Sequence, residues 1–132
     1  LAPAPWAHDG AHTLILQPQT KEDLLRRWLC GHGYRFLGET LVRDKEQLYV
    51  VFCVTGGRER ELSAAEALCG FLLGSDPLYG DYLDSRLAKL RRAAEGLSAS
   101  SLPDKKARIA QLHALAAALE QKKEEWSNAN GT

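Results

Sequence analysis

The chain has no methionine, not even at its first position. It opens Leu1-Ala2-Pro3-Ala4-Pro5-Trp6, as the inside of a longer sequence does. An upstream part is therefore expected, with a processed or trimmed start as the alternative. Cysteine is scarce: Cys30, Cys53 and Cys69 are an odd number with no C-x-x-C pair. That argues against a disulfide framework or a zinc site and fits a reducing cytoplasm. No apolar run approaches the roughly 18 to 20 residues of a membrane span, and no signal peptide is visible. Charge of one sign is not in excess, since 17 basic residues balance 17 acidic ones. Binding to nucleic acid, membrane or an acidic substrate would need a local patch. The G-x-G-x-x-G, Walker and H-E-x-x-H motifs are all missing, and no Ser/His/Asp or Cys/His arrangement can be defended from spacing. His32 and His113 are single histidines on helical segments without a partner in view.

What is present is an ordinary globular composition, 45% hydrophobic and 26% charged over 132 residues, enough for one domain with a real core. Residues 1–12 hold Pro and Gly breakers and read as a loop. His8 and His12 are four apart, a metal-ligand spacing on a helix, but Pro5 and Gly10 oppose a helix there; solvated histidines and no metal site are expected.

Residues 14–16, Leu-Ile-Leu, read as a short buried strand that stops at Gln17-Pro18. Thr20 is expected to cap the helix that follows, with Asp23 reaching back. Leu24, Leu25, Trp28 and Leu29 form its apolar face, while Lys21, Glu22, Arg26 and Arg27 take the wet side. Gly31 and Gly33 end it. Residues 34–42 form a strand with Gly38 marking a bulge, then a polar turn at 43–46. Residues 47–55 form the strongest strand. Leu48, Val50, Phe52 and Val54 face one way and Tyr49, Val51 and Cys53 the other. Both faces are apolar, so this strand is expected at the centre of a sheet with helices over both faces. Strand, helix, strand, strand is half of an α/β sheet, and it leaves the edge at residues 14–16 bare.

From Glu61 the period becomes helical. Ser63 caps a helix expected to run through Leu73, broken at residues 74–77. In a second helix, residues 78–97, the apolar residues Leu83, Leu87, Leu90, Ala94 and Leu97 step 4, 3, 4, 3. In a third, Ile109, Leu112, Ala116 and Leu119 step 3, 4, 3, with Trp126 seven further on and Pro103 in the first turn. Two heptad helices joined by a short linker form an antiparallel hairpin, each about 30 Å long.

Two features carry chemistry. Gln17, Pro18 and Gln19 stand where open α/β sheets bind ligands, outside the carboxyl end of a strand. Their amides can read the donor and acceptor edge of adenine, or they merely cap the next helix. Arg86, Lys89, Arg91 and Arg92, followed by Lys105, Lys106 and Arg108, are either a solvated face or an RNA backbone contact.

The blocks Leu14-Ile15-Leu16-Gln17-Pro18-Gln19, Leu25-Arg26-Arg27-Trp28-Leu29, Gly33-Tyr34, Glu39-Thr40-Leu41-Val42 and Leu48-Tyr49 resemble the latter part of the bacterial tRNA adenine-22 N1-methyltransferase family. The resemblance implies an S-adenosylmethionine-dependent enzyme. Its Rossmann-like α/β domain would end within residues 1–60, and an antiparallel helical coiled-coil hairpin would fill residues 61–132. Residues 14–16 would be the fifth strand and residues 34–55 the sixth and the antiparallel seventh, the seventh lying between the other two. The family's cofactor-binding segment has no counterpart here, so the isolated chain is expected to bind S-adenosylmethionine negligibly and to be inactive. The implied partner is tRNA. Gln17, Pro18 and Gln19 would stand at the pocket edge, and Arg86, Lys89, Arg91 and Arg92 on the RNA. The alternative is a non-catalytic helical-hairpin interaction module, and self-association through the bare strand edge or the heptad seam is a further expectation.

Overall fold

The computed structural model describes residues 12–129. Its elements run β1 (Thr13–Leu16), α1 (Glu22–Gly31), β2 (Tyr34–Asp44), β3 (Gln47–Gly56), α2 (Ala64–Cys69), α3 (Tyr79–Ser98) and α4 (Lys105–Ala129). The loop expected at residues 1–12, with His8, falls almost wholly outside the described residues. By packing the chain divides between Asp76 and Pro77 into two compact units.

The first unit is built on a three-stranded sheet of order β1-β3-β2, with β3 antiparallel to both neighbours. β3 is therefore central, as its two apolar faces predict. Val50, Phe52 and Val54 are fully buried. Their pairing partners Leu14 and Leu16 on β1, and Phe36, Glu39 and Leu41 on β2, share that face. α1 and α2 both lie over it. The opposite face carries Tyr49, Val51 and Cys53, which are only half-buried, so these two helices do not give the expected cover on both sides.

The bulge at Gly38 decides what β2 points inward. The register shifts between Phe36 and Gly38, leaving Leu37 as the extra residue. Unbroken alternation from Tyr34 and Phe36 would continue inward with Gly38, Thr40 and Val42. The inserted residue reverses the parity, so Glu39 and Leu41 face the core and Leu37 and Val42 are exposed. A carboxylate enters the core by this one-residue offset.

Its partner is Arg26. This side chain, expected on the wet side of α1, is fully buried, and Glu22 is nearly so. Arg26 Nε donates to Glu39 Oε1 at 2.7 Å, and Nη1 donates to the carbonyls of Ala67 at 2.8 Å and Leu68 at 3.3 Å. These carbonyls lie at the end of α2, where the helix dipole favours a cation. The guanidinium also lies over the Phe52 ring, 4.9 Å from its centroid. Glu39 Oε2 accepts from the backbone N–H groups of Phe71 and Leu72, each at 2.9 Å. Conversely Leu24, expected in the apolar face, is 55% exposed, while Leu29 is buried.

Helix ends follow local chemistry with two corrections. α1 starts from Lys21 in the left-handed region, at φ 57°, with no side-chain cap, so Thr20 does not cap it. α2 carries the expected Ser63 cap and completes a capping box with Glu66. It stops at Cys69 rather than Leu73, because Gly70 at φ 81° turns the chain. A Cβ at Gly70 would stand 2.8 Å from Glu39 Oε2 and 3.1 Å from Arg26 Nη2, so only glycine lets the loop close over the ion pair.

The two sheet edges are treated differently. The outer edge of β2 is blocked by carboxylates: Glu59 accepts from Phe36 N at 3.1 Å and Asp76 from Leu41 N at 3.0 Å. β1 is short and uncharged, with Ile15 66% exposed, so it is an edge strand rather than the buried one expected.

The second unit is the pair α3 and α4. The seam residues Leu83, Leu87, Leu90 and Ala94 are buried on α3, and Leu119 on α4. Asp84 pairs with Lys123 at 2.6 Å and Arg91 with Glu120 at 2.8 Å. Lys105 Nζ donates to Ser98 O and Ser100 O at 3.4 and 2.9 Å. Rising numbers on one helix meet falling numbers on the other, so the helices run antiparallel.

Candidate functional site

β1 ends early. Its last pair with β3 is Leu16 with Phe52, whereas the β2–β3 hairpin continues to Asp44 with Gln47. β3 thus runs five residues past the end of β1, roughly 16 Å at the usual strand rise. Gln17, Pro18 and Gln19 follow directly where β1 stops. Proline removes a ladder donor and holds the preceding residue extended, which is why the strand stops there. Gln17 and Gln19 are exposed and Pro18 is half-buried. The overhanging hairpin offers half-buried Tyr49 and Val51 and exposed Thr40 and Val42 on the uncovered face. The corner is an apolar shelf with two free-standing amides beside it.

α1 begins three residues beyond Gln19. Glu22 and Asp23 lie in its first turn and neutralise its positive end, so this helix start does not invite an anion. The displaced acid–base groups lie elsewhere. Burial first, then Glu59, pushes the Cys30 thiol up to about 11. The hydrogen bond from Arg60 chiefly holds the Glu66 carboxyl down at about 2. Neither belongs to the corner. Among the described residues no group of three or more His, Cys, Asp or Glu could hold a metal ion, and no helix is long and apolar enough to cross a membrane.

The basic residues predicted on the second helix do not stay together. Arg91 is paired with Glu120. Arg86 donates to Ser85 Oγ at 3.3 Å and lies over the Tyr82 ring at 5.2 Å. Lys89 and Arg92 are exposed. Sequence reasoning missed the Arg26–Glu39 pair altogether. The available signal was an acid just after the bulge glycine, in the middle of a strand.

A strand, a crossover helix and an antiparallel hairpin, ordered with the last strand in the middle and carrying a polar corner at a strand's carboxyl end, match part of a Rossmann-like α/β domain. The chain belongs to the tRNA (adenine(22)-N(1))-methyltransferase family TrmK, whose model matches residues 7–124. Sp1610 of Streptococcus pneumoniae, solved in complex with S-adenosyl-L-methionine, is similar at 26% identity and a TM-score of 0.65 over 84% of this chain and 47% of that one. A Streptococcus agalactiae protein of the NADB-Rossmann superfamily is 27% identical, with a TM-score of 0.65 over 84% of this chain and 47% of its own. The Bacillus subtilis m1A22 tRNA methyltransferase TrmK shares the fold, with a TM-score of 0.70 at 20% identity over 87% of this chain and 53% of that one. The chain spans about half the length of these structures. No curated protein matches the sequence.

Proposed function

We propose that these residues serve S-adenosylmethionine-dependent methyl transfer to N1 of an adenine in tRNA, in the cytoplasm where tRNA resides. The family match over residues 7–124, which runs from before the corner into α4, carries this reading. The unit that ends at Asp76 then belongs to the methyltransferase domain, and the unit from Pro77 is the helical part that holds RNA. The S-adenosylmethionine bound to Sp1610 supports that compound as the methyl donor.

The described residues do not fit the donor by themselves. The corner offers two amides and a proline, with no glycine-rich turn of converging backbone N–H groups. The chemistry derived from this chain is therefore that of the adenine. N1 already carries an in-plane lone pair and needs positioning more than acid–base help. The base has to leave its stack to be methylated there. A glutamine amide can bond N6 and N7 of adenine together, which leaves N1 uncovered. Gln17 or Gln19 performs this, with Pro18 setting the direction of both and Tyr49 and Val51 giving the ring an apolar floor.

The full product of this reading frame, supplied with methyl-labelled S-adenosylmethionine and unmodified tRNA, should place label in 1-methyladenosine. Label in another nucleoside, or none, overturns the reading. Replacing both amides, Gln17→Ala with Gln19→Ala, should lower kcat/KM about tenfold or more, since a bidentate base contact contributes about 1–3 kcal/mol.

A further inference from the structure

The α3–α4 unit carries nine lysines and arginines, and its internal contacts sort them. Arg91 is held by Glu120, Lys123 by Asp84, Lys105 by two backbone carbonyls, and Arg86 by Ser85 and the Tyr82 ring. Among the described residues, Lys89, Arg92, Lys106, Arg108 and Lys122 make no ion pair or side-chain hydrogen bond in these helices.

The acids are sorted too. One groove of about 520 Å³ is lined by Arg91, Glu95 and His113 over a floor of Leu90, Ala94 and Leu112. A second, of about 450 Å³, is lined by Asp84, Arg91, Glu120, Lys123 and Glu124. Both contain Arg91, so they lie on one broad side of the hairpin, and that side holds Asp84, Glu95, Glu120 and Glu124. Successive helical residues are turned by roughly 100°. Lys89 on α3, and Arg108 and Lys122 on α4, therefore fall on the opposite side from those acids. The pairing of Arg91 with Glu120 sets Lys89 level with Lys122 across the hairpin. Arg108 lies fourteen residues from Lys122, about 21 Å along the same helix. The one acid between them on α4, Glu120, is on the grooved side.

We propose that the side bearing Lys89, Arg108 and Lys122, with Arg92 at its outer margin, is the surface that holds the RNA phosphate backbone, and that the grooved side of Arg91 is turned away from it. This rests on tRNA being the partner, and charge complementarity assigns the side. Phosphates meet Lys89, Arg108 and Lys122 on one side, with Glu125 as the acid beside Lys122, and four carboxylates on the other. Arg91 leaves the expected set even though its exposed pair with Glu120 is weak, because a phosphate beside it would also face Glu95, Glu120 and Glu124. Arg108 and Lys122 join the set.

The test is tRNA binding to the whole chain, measured by filter retention across a salt series, for two variants whose ellipticity matches the parent. Lys89→Ala with Arg108→Ala and Lys122→Ala should weaken binding about tenfold or more. It should also flatten the dependence of log K on log salt by roughly two to three, as loss of three phosphate contacts requires. Arg91→Ala with Lys123→Ala should change affinity less than about twofold. The reverse ranking, or equal losses from both variants, overturns the assignment of the side. Failure of the parent chain to bind tRNA at low salt overturns the RNA reading on which it rests.

Discussion

Glu39→Gln tests the central feature of the first unit. The carboxylate accepts three bonds, one from Arg26 Nε and two from the backbone of Phe71 and Leu72. Both side chains of the ion pair are wholly shielded from solvent. Glutamine has nearly the same volume, so cavity formation is not the issue. It has one acceptor oxygen where the carboxylate has two, and its NH2 group faces donors. Arg26 keeps two carbonyls but loses its counter-charge in the interior. Breaking such a pair from one side costs about 3–5 kcal/mol. Domain stabilities are about 5–15 kcal/mol, so this is a large fraction of the whole. In urea, with a slope of about 2 kcal/mol per molar, a 4 kcal/mol loss moves the midpoint by about 2 M. Tryptophan emission follows the transition, with Trp28 on α1 as the reporter in this unit. Arg26→Met should cost a similar amount. The double variant should cost clearly less than the sum, because the two side chains act through each other. It should not return to the parent, since the carbonyls of Ala67 and Leu68 lose the donor that Arg26 supplied, at about 1–3 kcal/mol per buried unsatisfied group. A midpoint for Glu39→Gln within about 0.3 M of the parent, or strict additivity, would refute the claim that this pair organises the unit.

Two further perturbations probe single contacts. Glu66 is held at about 2 by Arg60 and by the Ser63 capping box, against burial. A depressed carboxyl contributes stability above its ordinary value near 4.5, and that contribution fades as pH falls toward 2. Glu66→Gln should flatten this part of the acid titration while the Ser63 cap persists, because glutamine also serves in a capping box, read from thermal melts; an unaltered acid profile would count against it. In the second unit, a Cβ at Gly80 would lie 2.6 Å from the Trp126 ring. Gly80→Ala should therefore destabilise the hairpin by about 1–3 kcal/mol despite alanine's better helix propensity, and a raised melting temperature would show that the ring moves aside without strain.

Periodicity and punctuation made most of the architecture legible. The two apolar faces of β3 placed it in the middle of the sheet, and Gly38 marked the bulge. Ser63 marked the start of α2, and the steps of three and four along α3 and α4 named the buried seam. Failures came where a neighbour in space overrode a local preference. Arg26 reads as a solvent residue on any helical pattern, and becomes a core residue only because Glu39 and the end of α2 converge on it. α2 reads as continuing to Leu73, but Gly70 is needed where the loop folds over the ion pair. Leu24 reads as core and is exposed because α1 is rotated to bring Arg26 inward. In the candidate site, Gln17, Pro18 and Gln19 were visible as a polar stop after an apolar strand. How far the β2–β3 hairpin overhangs β1 was not visible, because pairing register is a property of two strands together. The basic cluster was likewise visible as composition but not as a surface.

By itself, then, the sequence determined which segments are strands and helices, where β3 sits, the seam of the hairpin and the polar corner, because these follow from side-chain period and from proline, glycine and capping residues acting on their own neighbours. Only the tertiary structure decided which charges are buried, which are neutralised and which remain on one side of the hairpin, because an ionic side chain's environment is set by residues far from it in the chain: thirteen positions away for Arg26 and Glu39, twenty-nine for Arg91 and Glu120.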